Sequence, residues 1–103
     1  MLFAFSVAPT VTDSADGSVS EAVAAAVRVV RESGLPNETT AMFTTIEGEW
    51  DEVMPVVKAA CDAVAAHSPR VSLVLKADLR PGYEGQLSAK VQRVEQHLGG
   101  GHA

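Results

Sequence analysis

The sequence is short of cysteine and of basic residues, and each shortage excludes a class of protein. A single cysteine, Cys61, excludes an internal disulfide framework and a multi-cysteine metal site. Eight Lys and Arg against 13 Asp and Glu give a formal net charge of −5, which argues against binding to a nucleic-acid backbone. Hydrophobic residues make up 47% of the chain, so the composition is that of a globular protein and not of a disordered one.

Long apolar runs are also missing. The opening segment 2–8 is far shorter than the roughly 20 residues of a membrane helix, and no basic residue precedes it as in a secretory signal. We therefore expect a cytoplasmic protein. A chain of 103 residues suits one domain, which we place at 1–98, followed by a flexible Gly-rich tail at 99–103.

The first third of the chain predicts a strand followed by an amphipathic helix. Phe and Val alternate over 2–8, which is typical of a strand, and a polar loop over 10–17 follows. Ser18 and Glu21 fit a capping box at a helix start, and Gly34 suits the left-handed turn that ends a helix. The stripe expected to be buried consists of Val19, Val23, Ala26, Val27 and Val30.

The middle third predicts strand structure and then a second helix. The Thr-rich segment 38–47 fits either one long strand or a hairpin folded near Met42 and Phe43. The second helix is expected to begin near Trp50 to Glu52, so that Pro55 falls in its first turn, where a missing N–H is tolerated. Its expected buried stripe is Val53, Val57, Ala60 and Val64, with Met54 and Cys61 beside it.

The last third predicts a strand over 71–78 and a C-terminal helix. Alternation along the strand places Ser72, Val74, Lys76 and Asp78 on one face and Val71, Leu73, Leu75 and Ala77 on the other. The C-terminal helix is predicted from the helical spacing of four apolar residues, Leu87, Val91, Val94 and Leu98.

This order of elements predicts an α+β fold, a ferredoxin-like βαββαβ sandwich with an antiparallel sheet and an extra C-terminal helix. In that arrangement two helices cover one face of the sheet and leave the other face open. We place either Leu2, Ala4 and Ser6 or their alternates on the open face, together with Val74. Such a face is too apolar for water, so we expect a second copy of the chain to cover it.

Three segments of the chain resemble, in the same order, one known family. They are Ser18-Val19-Ser20-Glu21 before an Ala/Val helix, the run from Thr44 to Met54, and the run from Leu75 to Arg80. The family is that of the small thiamine-binding proteins of ferredoxin-like fold, and the resemblance spans about residues 2–98. It implies a homodimer or homotetramer that binds thiamine or its hydroxymethylpyrimidine half without turnover and without a cofactor.

The chain departs from that family at two positions. Phe43 stands where the hairpin turn of relatives carries Gly, and Cys61 stands where relatives often carry His. A bulky Phe43 is expected to fill space near the turn, and Cys61 removes a polar contact.

Several side chains suit the cationic thiazolium and the aminopyrimidine of thiamine. Thr45 and Glu47 offer a hydroxyl and a carboxylate on the same face of one strand. Trp50 offers a ring for stacking or for a cation–π contact, with a packing role as its alternative. Lys76 and Asp78 end the last strand, with a simple ion pair as their alternative. The expected ligand-binding set is Thr44, Thr45, Glu47, Trp50 and Asp78, with Ser6 and Lys76 as weaker members.

Enzyme signatures are absent from the sequence. Cys61 and His67 lie nearly two turns apart on one helix, and the glycines at 99–101 follow a helix instead of opening a phosphate loop. The fold also admits a cofactorless oxygenase, but the helix stripes offer no polar cluster for one. We therefore expect no enzyme, no catalytic residue and no metal. The alternative function is an oligomeric interaction or regulatory module without a small-molecule ligand.

Overall fold

The computed structural model describes residues 1–10 and 18–99 of the chain. Its elements are β1 (Leu2–Pro9), α1 (Ser18–Glu32), β2 (Asn37–Thr39), β3 (Thr44–Glu47), α2 (Trp50–Ala65), β4 (Val71–Asp78) and α3 (Gln86–His97). Four expectations concern parts outside the described residues: the loop at 11–17, the capping contact of Ser18, the burial of Val19 and the tail at 100–103.

The four strands form one antiparallel sheet in the order β2-β3-β1-β4. With α1 and α2 packed against β1, this is the ferredoxin-like arrangement that the element order predicts. Of the two alternatives for 38–47, the hairpin is the one that forms. Its loop is closed by the Thr40 N–H, which donates to the carbonyl oxygen of Phe43 at 2.9 Å.

The core lies between this sheet and the first two helices. Alternation along β1 puts Phe3, Phe5 and Val7 under the helices and leaves Leu2, Ala4 and Ser6 on the open face. The buried residues of α2 are the predicted stripe, so that prediction is confirmed. The full set of buried hydrophobic residues is Phe3, Phe5, Val7, Ala22, Ala26, Val30, Ile46, Val53, Val57, Ala60 and Val64.

The buried stripe of α1 differs from the predicted one. Ala22, Ala26 and Val30 are buried, whereas Val23 is exposed and Val27 is only half-buried. The prediction was wrong at Val23, because two adjacent rows of apolar residues both fit the helical period. The row with two alanines faces inward, and its short side chains let α1 approach the sheet and α2 closely.

Pro55 also differs from its expected position. The helix α2 begins at Trp50, as predicted, but Pro55 lies in the second turn instead of the first. The missing N–H of Pro55 leaves the carbonyl of Asp51 without its usual helical partner. Both residues are exposed, so water can satisfy that carbonyl.

The half of the fold formed by β4 and α3 is poorly covered. Alternation along β4 follows the prediction, since Leu73, Leu75 and Ala77 pair with Val7, Phe5 and Phe3. Leu73 is nevertheless 43% exposed, because the helices centre on β1. The main packing contact of α3 is with β3, and its residues Val91, Val94 and Leu98 are exposed. No helix among the described residues is long and apolar enough to cross a membrane.

Candidate functional site

Five of the predicted contact residues lie on the open face of the sheet: Ser6, Thr45, Glu47, Lys76 and Asp78. The end row places Leu2 between Glu47 on β3 and Asp78 on β4. The next row repeats this pattern around Ala4. Since neighbouring strands lie about 4.8 Å apart, β1 separates the two polar flanks by roughly 10 Å. The polar residues therefore share a face but form two groups.

The structure places the other two predicted residues elsewhere. Thr44 is buried and pairs with Phe5, so it faces the helices. Trp50 lies in the first turn of α2, where its ring meets Phe3 edge to face with centroids 5.8 Å apart. Its contact with the core is that of a packing residue, although part of the indole remains exposed. Neither side chain joins the five on the open face.

A cavity of about 680 Å³ opens beside Glu47. Its walls come from the α1–β2 connection, β2, the end of β3, the start of α2 and the start of α3. It is lined by Leu35, Pro36, Asn37, Glu38, Glu47, Gly48, Glu52, Glu84, Gly85, Leu87 and Ser88. Small-molecule sites usually enclose about 300–1,000 Å³, so this cavity, which we call the acidic cavity, has the size of a ligand site.

The charge of the acidic cavity is of one sign. Glu38, Glu47, Glu52 and Glu84 contribute to its lining, and none of the lining residues is Lys, Arg or His. A wall of this composition attracts cations and repels phosphate groups. Within 1–10 and 18–99, no group of three or more His, Cys, Asp or Glu is placed to hold a metal ion. The four carboxylates come from four parts of the chain: β2, β3, the start of α2 and the segment before α3.

Glu47 has a second role in the structure. The residue is only 7% exposed, and its two carboxylate oxygens accept the backbone N–H groups of Gln86 at 3.0 Å and Leu87 at 3.4 Å. These are the first two residues of α3, and Gly85 before them has no side chain that could cap the helix. The carboxylate of Glu47 therefore caps α3 from a strand about 40 positions earlier in the chain.

The two positions at which the chain departs from the family that it resembles lie away from the acidic cavity. Phe43 is half-buried and lines a separate cavity of about 200 Å³ between the hairpin loop and α1. Cys61 is half-buried on α2, and its burial, together with the Asp62 carboxylate, raises the pKa of its thiol. A thiol with a raised pKa is a weak nucleophile at neutral pH, so Cys61 acts as a small packing residue.

Comparison with known proteins identifies the family. A sequence model of the family described as "Thiamine-binding protein" matches residues 3–95. The chain belongs to this family. The UPF0045 protein Mb1933 of Mycobacterium bovis is 54% identical over 99 residues, covering 95% of this chain and 94% of the relative. The UPF0045 protein sll0230 of Synechocystis is 39% identical over 82 residues, covering 79% and 68%.

Solved structures of relatives share the fold of this thiamine-binding family member. A domain of unknown function from Bacillus cereus superposes with a TM-score of 0.77 at 36% identity, covering 87% of this chain and 85% of that one. A Thermotoga maritima protein, described as a candidate for thiamine biosynthesis or salvage, superposes with a TM-score of 0.72 at 25% identity. The coverage there is 88% of this chain and 96% of that one.

Of the residues that line the acidic cavity, Glu47 is the one that the sequence pattern predicts as a contact residue. Glu38 belongs to the segment predicted as strand, and Glu52 lies in the acidic first turn of α2, where a carboxylate complements the helix dipole. The Glu52 carboxylate does accept the N–H of Glu49 at the start of that helix, at 3.0 Å. One signal was present in the sequence: α3 has no Ser, Thr, Asp or Asn before Gln86, so its cap must come from elsewhere.

Proposed function

We propose that this protein binds thiamine, or its hydroxymethylpyrimidine half, as a cytoplasmic homo-oligomer and does not convert it chemically. One observation carries the proposal: the acidic cavity has the volume of a small-molecule site and a wall of four glutamates without a basic side chain. Membership in a family of thiamine-binding proteins supports the same ligand class.

The chemistry of thiamine matches both components of the acidic cavity. The thiazolium ring carries a permanent positive charge, which the carboxylates of Glu38 and Glu84 balance from two sides of the wall. The apolar lining from Leu35, Pro36 and Leu87 suits the flat faces of the two rings. The amino group of the pyrimidine donates hydrogen bonds, and carboxylates accept them. A phosphate ester of thiamine would bring negative charge to a negative wall and bind less well.

The predicted residues on the open face have different roles in this proposal, according to their distance from the acidic cavity. Thr45 pairs with Glu38 across β2 and β3, so it lies next to the acidic cavity and can contact a ligand that extends from it. Lys76 and Asp78 lie on the far side of β1, beyond the reach of the same ligand head group. We propose that they, with Ser6, contact a second copy of the chain from the other flank.

Self-association is part of the proposal. Val74 on the open face and the α3 residues Val91, Val94 and Leu98 are exposed large hydrophobics, and α3 packs mainly on β3. Exposed apolar surface of this kind marks an interaction site in a folded protein. We propose that a second copy of the chain covers this apolar surface, which gives a dimer or tetramer and requires no different partner.

Isothermal titration with thiamine, and separately with hydroxymethylpyrimidine, tests the function. We expect saturable binding of thiamine, weaker binding of the uncharged pyrimidine, and still weaker binding of thiamine diphosphate. Glu84→Gln should weaken thiamine binding about tenfold, since a lost contact worth about 1.4 kcal/mol is a factor of ten. Asp78→Asn removes the same charge outside the acidic cavity and should change the affinity less than about twofold.

The opposite ranking of the two variants would move the site to the β4 flank of the open face. Absence of heat with both compounds, in protein shown to be folded, would contradict the binding function. The second candidate, an interaction module without a small ligand, would then be favoured by the exposed apolar residues of α3.

A further inference from the structure

The acidic cavity and the attachment of α3 meet at one side chain. Glu47 lines the cavity, and its two carboxylate oxygens accept the N–H groups of Gln86 and Leu87. Glu84, Gly85, Leu87 and Ser88, which surround the start of α3, form the opposite part of the lining. The start of α3 is therefore a wall of the cavity, and this wall is held by a group that also faces the ligand space.

The other contacts described for α3 are packing contacts and a hydrogen bond within the helix. The helix packs mainly on β3, and Val91, Val94 and Leu98 on its apolar side are exposed in a single chain. The side-chain hydrogen bond from Arg93 to Gln86 stays within the helix. Of the hydrogen bonds described for α3, those from Gln86 and Leu87 to Glu47 are the ones that reach the sheet.

We propose that Glu47 couples occupation of the acidic cavity to the docking of α3, so that ligand binding fixes this helix against β3. The proposal rests on the function proposed above. A ligand that contacts both walls binds only when α3 is docked, and by linkage it shifts the helix toward the docked state. The coupling also affects the exposed apolar side of α3, because that side moves together with the start of the helix.

The linkage has a reciprocal consequence that can be measured. If ligand binding favours the docked helix by some factor, the undocked form must bind the ligand more weakly by that same factor. Glu47→Gln retains the size of the side chain but keeps only one acceptor oxygen, and its amide group faces an N–H donor. Glu38→Gln removes the same unit of charge from the same cavity but leaves the two hydrogen bonds from α3 to Glu47 in place, so it is the matched control.

Hydrogen–deuterium exchange of the full-length protein, with and without saturating thiamine, tests the coupling. In the wild type, thiamine should slow exchange of the α3 amides at 86–98. Glu47→Gln should speed their exchange about tenfold in the free protein and weaken thiamine binding more than Glu38→Gln does, with β1 amides unchanged as the check on folding. Glu38→Gln should leave exchange in free α3 at the wild-type rate.

The double variant Gln92→Gly/Glu95→Gly separates coupling from direct contact. Both residues are exposed, lie within α3 and are outside the lining of the acidic cavity, so all four carboxylates stay in place. Glycine inside a helix is unfavourable, so this variant should speed α3 exchange and weaken thiamine binding. Unchanged thiamine affinity in a double variant whose α3 exchanges as an undocked helix would overturn the coupling.

Two further outcomes distinguish the proposals. Thiamine binding to the wild type without any slowing of α3 exchange would overturn the coupling and leave the binding function intact. No thiamine binding to the wild type would overturn both, while the free-protein comparison of Glu47→Gln with Glu38→Gln would still report whether Glu47 holds α3.

Discussion

The two halves of this fold are packed very differently. In the packed half, formed by β1, β3, α1 and α2, Phe3, Ile46, Val53 and Val64 are fully buried. In the exposed half, formed by β4 and α3, Leu73 is 43% exposed and Val94 is 57% exposed, although both lie on the expected apolar faces. The same kind of hydrophobic pattern therefore produces a core in one half and uncovered surface in the other.

This difference indicates which part of the molecule is complete as a single chain. The packed half buries its apolar residues within the described chain and accounts for most of the stability that burial can supply. The exposed half leaves apolar residues for contact with another surface. The acidic cavity lies where the two halves meet, with β3 and α2 on one side and α3 on the other.

The largest difference in stability between the two halves is expected when one large residue in each is truncated to Ala on the helix-facing side of the sheet. Ile46→Ala should lower the free energy of unfolding by about 2–5 kcal/mol, because it removes apolar contacts and leaves a cavity in the packed half. Leu73→Ala, on β4, should cost about 1 kcal/mol. Urea denaturation at one fixed, low protein concentration measures both. Equal losses would show that β4 is as well packed as β3.

A smaller loss is expected at the boundary between the halves. An added Cβ at Gly48 would lie 2.9 Å from Cγ2 of the fully buried Val53. Gly48→Ala should therefore cost about 1–3 kcal/mol through overpacking, measured by the same denaturation. Gly34→Ala has open space around its Cβ and only an unfavourable φ, so it should cost about 1 kcal/mol. A neutral Gly48→Ala would show that β3 and α2 adjust easily there.

Substitutions in the exposed half are expected to change the oligomeric state and to leave the fold nearly unchanged. Val94→Glu places a charge in the apolar stripe of α3 and should reduce the mass measured by light scattering toward the 10.8 kDa of one chain. Gln96→Glu adds the same charge on the opposite side of the helix and should leave the mass unchanged. Val74→Glu makes the corresponding test of the open face. Dissociation by neither Val74→Glu nor Val94→Glu would contradict self-association through this half.

Most of the fold could be predicted from local pattern. The alternation along β1 and β4, the stripe of α2 and the glycine after α1 each follow from one element and its period. The stripe of α1 could not be chosen by period, because Ala22 and Val23 both begin apolar rows. Which row faces inward depends on how closely α2 and the sheet approach, and that is a property of the assembled fold.

The site was less predictable, because its parts are distant in the sequence. Glu47 was identified as a polar residue on a strand, but its hydrogen bonds run to Gln86 and Leu87, about 40 positions later. Glu38 and Glu84 meet in one cavity only through the placement of α3. Local spacing carries no information about such contacts, and only the absence of a cap residue before Gln86 pointed to a distant partner.

The smallest effect is expected at Cys61, on the surface side of the packed half. Burial raises the pKa of its thiol, the Asp62 carboxylate raises it further, and Lys58 lowers it. When the pKa is raised, less thiolate is present at pH 8, so iodoacetamide should alkylate Cys61 more slowly than it alkylates the unfolded chain.

Asp62→Asn should shift the pH profile of Cys61 alkylation to lower pH, and Lys58→Met should shift it to higher pH. The two variants make a matched pair, because Lys58 and Asp62 form an exposed ion pair at 2.9 Å and act on the thiol with opposite sign. The contrary result would be a folded protein that is alkylated as fast as the unfolded chain and whose pH profile neither variant shifts. It would show that α2 does not bury Cys61 and that the packed half ends before this residue.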